Sequence, residues 1–396
     1  SADGNAWSSF PHDHARMRCY RWGEDGLLGI SDDKGLLCFG LTLWNGRDPI
    51  LKERPFGLAN GEGNHGEDLK DYFFHLLNTP THSFMRGLYK YPQQEFPYQH
   101  LVEENGRRGR DQPEYELVET GIFDGNRYFD VFVDYAKATP EDLLIRIRVV
   151  NRGADEAELN LIPTLWLRNL WDWGYKEDWR QREPIRLQGD CIETPDVHGV
   201  GTYQLACREQ GTWLFTENET NTERLYQQPN AQPYVKDAFH RYVVNGEQTA
   251  VNPAQEGTKA GLLLQQRIAG GAEWVVDLRL ARELPADPFD GSFDQLLQQR
   301  EQECLDYFNS CAPGLSADDA LIFRSAASGL LWCKKFYRWT VVRWLSGDPN
   351  HPSPPPERLK TQNAYWRGMD SSADGNAWSS FPHDHARMRC YRWGED

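Results

Sequence analysis

The chain has 396 residues, enough for one large domain or two with a stable core. Its formal charge of −16 and pI near 5.2 disfavour nucleic acid and anionic membrane surfaces as partners. No apolar run approaches the roughly 20 residues of a membrane helix, and the thiols, with no Cys-x-x-Cys pair, fit a reducing compartment. A cytoplasmic location is therefore expected; the first Met is Met17, which leaves a removed leader open.

The opening segment, SADGNAWSSFPHDHARMRCYRWGED, returns without one difference as residues 372–396. Evolved repeats recur at a period of roughly 20–50 residues in about three or more drifted copies. Here the period is 371 residues and the second copy stops after 25, so the expectation is a gene fragment with joined ends. Function is then sought in residues 1–370. Trp378 and Trp393 are expected to lack the partners that bury Trp7 and Trp22, leaving residues 371–396 an exposed tail and not a domain. In the first copy, His12 and His14 would share a face on a strand and could ligate zinc. No third ligand stands at a recognisable spacing, so no metal and no cofactor are expected. Arg21 paired with Glu24 or Asp25 in a buried polar segment is the preferred reading.

From about residue 27 to 285 the pattern is mostly strand. The stretch LWNGRDPILKERPFGLANGEGNHGEDLKDYFF holds Trp44, Asn45, Arg47, Asp48, Asn64, His65, Glu67 and Asp68 among glycines. Asn, Asp, Glu, Arg and Trp are the types that read sugar hydroxyls, by paired donors and acceptors beside an apolar face. The same residues suit a charged loop bracing two sheets. It is not a phosphate loop, since no Lys-Ser/Thr follows the glycines. Next, LNTPTHSFMRGLYKYPQQEFPY brings His82, Tyr89 and Lys90 into a Pro-bounded, aromatic segment. It fits a ligand wall or an interface clamp equally well.

YFDVFVD and LLIRIRVV alternate at period two, and Asn151–Gly153 supplies a turn before AELNLIPTLWL. AEWVVDLRLA is another alternating strand. Many strands broken by Gly, Asn and Pro turns imply a mainly β chain, a large antiparallel β-sandwich over residues 1–290. The 15 Trp, 17 Tyr and 18 Phe could stack on sugars, but a large sheet core consumes aromatics too. The sequon Asn218–Thr220 is discounted as a chance triplet.

Near residue 291 the period changes. Ser292 with Gln295 reads as a capping box before Phe293, Leu296, Leu297, Cys304, Leu305 and Phe308 at helical spacing. A second helix is capped by Ser316. After it, NHPSPPPERLK is too rich in Pro for regular structure. Residues 291–370 thus read as linker helices and the start of a helical domain, whose apolar faces two helices cannot bury alone.

The stretches YRWGEDGLLGISDD, LWNGRDPILKERPFGL, NHGEDLKDYFF, TPTHSFMRGLYKYPQ and GLLWCKKFYRWTVVRWLSGDP resemble the bacterial and fungal glucosidase-like proteins grouped near glycoside hydrolase family 63. These are commonly labelled mannosyl-oligosaccharide glucosidases, and the similarity runs through residues 1–368. The resemblance implies a β-sandwich leading into an (α/α)6 toroid and inverting hydrolysis of α-glucosidic bonds in an oligosaccharide. Inversion needs an acid and a base roughly 6.5–9.5 Å apart. In the family both lie in the toroid, and after NAYWRGM this sequence departs into the repeat. Neither can be placed on a residue here, so the fragment is expected to be inactive alone. Trp44, Asn45, Arg47, Asp48, Asn64, His65, Glu67, Asp68, His82, Tyr89 and Lys90 are the candidate sugar contacts. Two other functions compete: a carbohydrate-binding or interaction module without hydrolase activity, and a complete enzyme using carboxylates such as Glu24, Glu67 and Asp68.

Overall fold

A computed structural model describes residues 11–20, 26–59, 61–65, 68–175, 182–196, 199–332 and 341–360. Strands are numbered in chain order. A five-stranded sheet runs β1 (Leu27–Ser31), β2 (Leu37–Trp44), β9 (Ala157–Leu167), β15 (Lys259–Ile268) and β13 (Thr212–Thr216). A nine-stranded sheet begins with β14 (Glu256–Gly257), β10 (Ile185–Gln188), β11 (Cys191–Glu193) and β12 (Gln204–Cys207). It continues through β16 (Glu273–Ala281), β8 (Asp142–Asn151), β7 (Tyr128–Thr139), β6 (Phe84–Pro92) and β5 (Phe73–Asn78). A small ribbon pairs β3 (Gly57–Leu58) with β4 (Asp68–Leu69), and every pairing is antiparallel.

The two large sheets share one apolar core, to which β2 and β9 give Phe39, Leu41 and Leu165, and β7 and β8 give Val131, Val133, Ile145 and Ile147. The period-two alternation explains the sidedness. In β7, Phe129, Val131, Val133 and Tyr135 are fully buried, while Asp130, Phe132 and Asp134 take the other face. That outer face is a charge ladder. Asp134 stands opposite Arg86 of β6 and Arg146 of β8, and Arg146 opposite Asp277 of β16. Arg86 and Arg146 grip Asp134 and Asp277 in forked pairs of 2.6–2.9 Å. Turn chemistry is local. The Asp32 carboxylate accepts from the amides of Lys34, Leu36 and Leu37, closing the β1–β2 hairpin around Gly35 at φ +62°. The expected Asn151 turn forms, with Asn151 Oδ1 accepting from Gly153 N at 2.8 Å.

Helices decorate this sandwich. They are α1 (His12–Ala15), α2 (Tyr98–Arg107), α3 (Thr222–Tyr226), α4 (Ala238–Val243), α5 (Gly291–Cys311), α6 (Ala317–Trp332) and α7 (Val341–Ser346). Within α5, Phe293, Leu297, Cys304 and Phe308 face Leu77, Phe84, Ala136 and Leu144 of the nine-stranded sheet. Glu301 reaches Arg86 and Asp294 reaches Arg146, so the helix completes the ladder. The cap differs from the one the sequence suggested. Asp290 is the N-cap, its Oδ1 accepting from Ser292 N at 2.9 Å, and the Ser292 hydroxyl donates to the same oxygen. An acid two residues upstream outcompetes the hydroxyl because it accepts from the free amides and faces the positive end of the helix. Asp290→Ala is accordingly expected to lower the urea midpoint, and Ser292→Ala to lower it by less. In α6 the expected cap does form: Asp319 N donates to Ser316 Oγ at 3.1 Å. The end of α6 is pinned by Trp332, whose Nε1 donates to Gly29 O at 3.1 Å and whose indole stacks on His75 at 4.6 Å.

Residues 11–20 cross the outside of the five-stranded sheet as a strap. His12 and His14 lie on one helical turn, not a strand, and part company: His12 stacks on Tyr98 at 5.6 Å, and His14 meets Tyr226. Arg21, Glu24, Asp25, Trp7, Trp22 and the 372–396 copy lie outside the described residues.

Candidate functional site

The loop after β2 turns on Asn45. Its Oδ1 accepts from Arg47 N and Asp48 N at 2.9 and 2.7 Å, and its Nδ2 donates to Pro92 O and Gln94 O at 2.7 and 2.8 Å. Trp44 Nε1 donates to Asp48 O at 2.8 Å. The Asp48 carboxylate, 1% exposed, accepts from Tyr91 and Tyr98 hydroxyls at 3.0 and 3.1 Å and from Ile50 N. Burial raises its pKa, against the nearby Lys52 charge.

Lys52 is fully buried. Its Nζ lies 3.5 Å from Asp71 Oδ1 and 3.7 Å from the centre of the Phe96 ring, with Tyr98 at 4.6 Å. Tyr89 donates to the same Asp71 oxygen, its hydroxyl 2.5 Å from Oδ1, and the Phe56 amide donates to Oδ2. Asn45, Asp48 and Tyr89 therefore spend their polar atoms on a buried brace between the β2 loop, β6 and α2.

The other sequence candidates scatter. Lys90 pairs with Asp130 at 2.7 Å over the Tyr128 ring, on the outer face of the nine-stranded sheet. His82 sits at the β5–β6 turn with φ +52°, its Nδ1 2.9 Å from Asn78 Oδ1. Asn64 Nδ2 donates to Gly109 O and Gln112 O, and His65 Nε2 lies 2.9 Å from Gln112 O. Asp68 pairs with Lys70, which also binds Glu114 and Glu116 at 3.1 Å each. Asp68, Glu114 and Glu116 are spaced like a cation's ligands, but the buried Lys70 ammonium already stands among them. Arg47 and His65 remain exposed, and Glu67 lies outside the described residues.

None of these candidates lines the recess on the outer face of the five-stranded sheet. That recess is walled by Trp166, Thr42 and Thr164, with Glu53, Arg54, Lys259 and Asn218 around it. Its flat wall requires glycine: a Cβ on Gly26 would stand 2.9 Å from Trp166 Cη2, and one on Gly40 3.3 Å. Glu53 holds Lys259 at 2.5 Å, and Arg54 Nη1 donates to Ala15 O of the strap at 2.6 Å. Its volume of about 40 Å³ admits water or a small ion and not a sugar ring.

Asn169 joins the recess to a second corner. Its Nδ2 donates to Asn218 O and to Asp172 Oδ2, both at 2.9 Å. Here a short 3-10 turn, Trp171–Trp173, closes on Gly174 at φ +83°. Glu219, 5% exposed, accepts from Trp171 Nε1 at 3.1 Å and from Arg182 at 3.0 Å. Burial, with the neighbouring Asp172 and Glu217 charges, pushes its carboxyl up to about 7, although Arg182 and Trp171 pull the other way. Asp172 is raised too, by burial first. Tyr175 OH donates to Asp348 Oδ1 at 2.9 Å and the Arg343 guanidinium lies 3.8 Å from its ring centre, tying the corner to α7 and the turn after it. The corner can hold a proton near neutral pH beside two indoles. Its one signal in the sequence is the crowding of Trp166, Trp171, Trp173 and Trp179 into fourteen residues together with acids. Asn218, the sequon residue, is 1% exposed and its Nδ2 donates to Leu167 O, which puts it out of reach of a glycan in the folded chain.

No family model matches the chain. A Saccharomyces cerevisiae protein, "Uncharacterized protein YMR196W", is 38% identical over 415 aligned positions that take in 93% of this chain. The chain spans 38% of that relative's length. Among solved structures, a human-microbiome chain described as a kojibiose phosphorylase aligns with 78% of this chain and 36% of its own. Its identity is 8% and its TM-score 0.28. A polysaccharide lyase aligns over 68% and 28% of the two chains at 11% identity and a TM-score of 0.26. At TM-scores this low neither likeness bears on fold or function.

Proposed function

We propose that this chain is the non-catalytic β-sandwich portion, with the first helices, of an inverting α-glucosidase of the family 63-like kind. The supporting observation is the apolar surface exposed, among the described residues, on the helices that follow the sandwich. On α6, Leu321, Ile322 and Leu330 are 52%, 67% and 80% exposed, and Tyr307 of α5, Leu315 before α6 and Phe323 on α6 are exposed as well. Each such side chain forgoes roughly 1.5–3 kcal/mol of burial. Leu321 and Leu330, nine residues apart, stand on opposite sides of α6 with Ile322 between them, so the helix is apolar on more than one side, as a helix packed among other helices is. A helical toroid continuing from α6 is the cover that fits the motif resemblance.

In this reading the acid and base of hydrolysis belong to that toroid. Arg47 of the β2 loop, with His65 and Asp68 of the β3–β4 ribbon, meets an oligosaccharide, and the brace of Asn45, Asp48 and Tyr89 keeps the β2 loop in shape. The chain assayed alone on α-linked glucose disaccharides is expected to release no glucose, whereas a longer chain carrying the helical continuation releases it with inverted anomeric configuration by proton NMR. Glucose release by this chain, abolished by Asp68→Asn, would instead establish an enzyme complete in the sandwich. Saturable sugar binding with an inactive longer chain would favour a binding module.

A further inference from the structure

We infer that Lys52 and Asp71 condense into a side-chain amide, a covalent lock between the β2 loop and the entry to β5. Lys52 Nζ is fully buried, and among the described residues no acceptor lies within hydrogen-bonding distance of it. Asp71 Oδ1 stands 3.5 Å away, and the faces of Phe96 and Tyr98 cover the amine at 3.7 and 4.6 Å. Lys70, also buried, shows the contrasting case: Asp68, Glu114 and Glu116 all reach its ammonium. A buried ion pair is stable when its remaining protons find partners, and those of Lys52 find aromatic rings instead. Both side chains of the Lys52–Asp71 pair are 0% exposed, so bulk water is kept from the two charges. An amide between them is neutral and removes that desolvation cost.

The surroundings supply the chemistry. Reacting atoms in a productive arrangement stand roughly 3–3.5 Å apart, and Asp71 Cγ is one C–O bond beyond Oδ1, within a turn of the lysine stem. A proton passes from Lys52 to the Asp71 carboxyl group and frees the amine lone pair. Nζ then bonds to Cγ. The Phe56 amide, which donates to Oδ2, holds the oxygen that becomes the amide carbonyl while charge develops on it. Oδ1, which faces Lys52 and accepts from Tyr89 at 2.5 Å, is the leaving oxygen. The Cγ–Oδ1 bond breaks and two protons from Nζ depart with Oδ1 as water. The positive and negative charges cancel, and nothing is oxidised or reduced. Asp48 carries the second proton: burial raises its pKa, against the charge of Lys52 and hydrogen bonds from Ile50, Tyr91 and Tyr98. The product closes residues 52–71 into a ring that takes in the β3–β4 ribbon.

Mass decides, because stability alone does not separate an amide from an ion pair. The whole chain, kept overnight at neutral pH and unfolded before measurement, is expected to weigh one water less than its sequence. Trypsin should then fail to cut after Lys52 and should deliver residues 48–70 joined to residues 71–86. The full sequence mass with cleavage after Lys52 overturns the inference. So does a water lost at any other place, such as a succinimide, or an amide from Lys52 to Asp48. Lys52→Arg keeps a cation whose guanidinium is too weak a nucleophile, and it should retain the full mass; a missing water there sinks the idea. Asp48→Asn keeps both bonding partners, and the joined peptide in freshly purified chain should fall at least about tenfold. Joined peptide at the parent level overturns the part given to Asp48.

Discussion

Lys52→Met is expected to lower stability by about 3–5 kcal/mol, the largest effect of any single substitution considered for this chain. The ammonium is fully buried beside Asp71 and close to Asp48, both of which are also buried. Removing it leaves two carboxylates in a low-dielectric region without a counter-charge. Hydrogen bonds from Tyr89, Tyr91, Tyr98 and the amides of Phe56 and Ile50 remain, but they offset only part of the desolvation. Urea unfolding of Lys52→Met, Asp71→Asn and the pair measures this. The double variant should be less destabilised than the sum of the singles, since the second change removes one of the stranded charges. A loss under 1 kcal/mol for Lys52→Met would mean that the tyrosines and amides carry the network.

The second large effect is on pH dependence. The Glu219 carboxyl titrates at about 7 in the folded chain against an ordinary value of 4.5. Between those two values the folded chain holds more protons than the unfolded one, so stability falls as pH rises. The contribution is fully present below the unfolded value and is lost as pH passes about 7. Roughly 2–3 kcal/mol is at stake, at the lower end because Arg182 is 43% exposed and screened by solvent. Glu219→Gln keeps an acceptor for Trp171 and removes the titration. Its thermal midpoint should stay nearly level from pH 5 to 8 after the other titrations, shared with the parent chain, are subtracted. Parallel curves for the two proteins would show that Glu219 ionises normally.

These two sites divide the polar interior by purpose. The Lys52 network is a brace, with every donor aimed inward and little space beside it. The Glu219 corner keeps a proton near neutrality and touches the start of the Pro-rich segment, where Asn350 Nδ2 donates to Asp172 O.

Much of the fold was legible because it depends on local rules. Period-two alternation in residues 128–134 and 143–150 identified half-buried strands, since a pleated strand must send alternate side chains to opposite faces. The Asn151 turn and the Ser316 cap were readable from the short reach of their side chains. The Asp290 cap was missed because two plausible caps stood two residues apart, and only the three-dimensional entry of the chain chose between them. What the residues could not announce was partnership across distance. Asn45, Asp48 and Tyr89 carry the chemistry of a sugar site, and only the approach of β6 and α2 to the β2 loop turned them into a brace. His12 and His14 looked paired until a single helical turn separated them. Glu219 and Asp172 lie 47 residues apart, so their shared burial had no local signature. Sequence alone thus determined strand positions, turns and the change to helix near residue 291, because neighbours in the chain enforce them. Tertiary structure decided which polar residues are buried and with whom, because desolvation and charge pairing depend on contacts between distant segments.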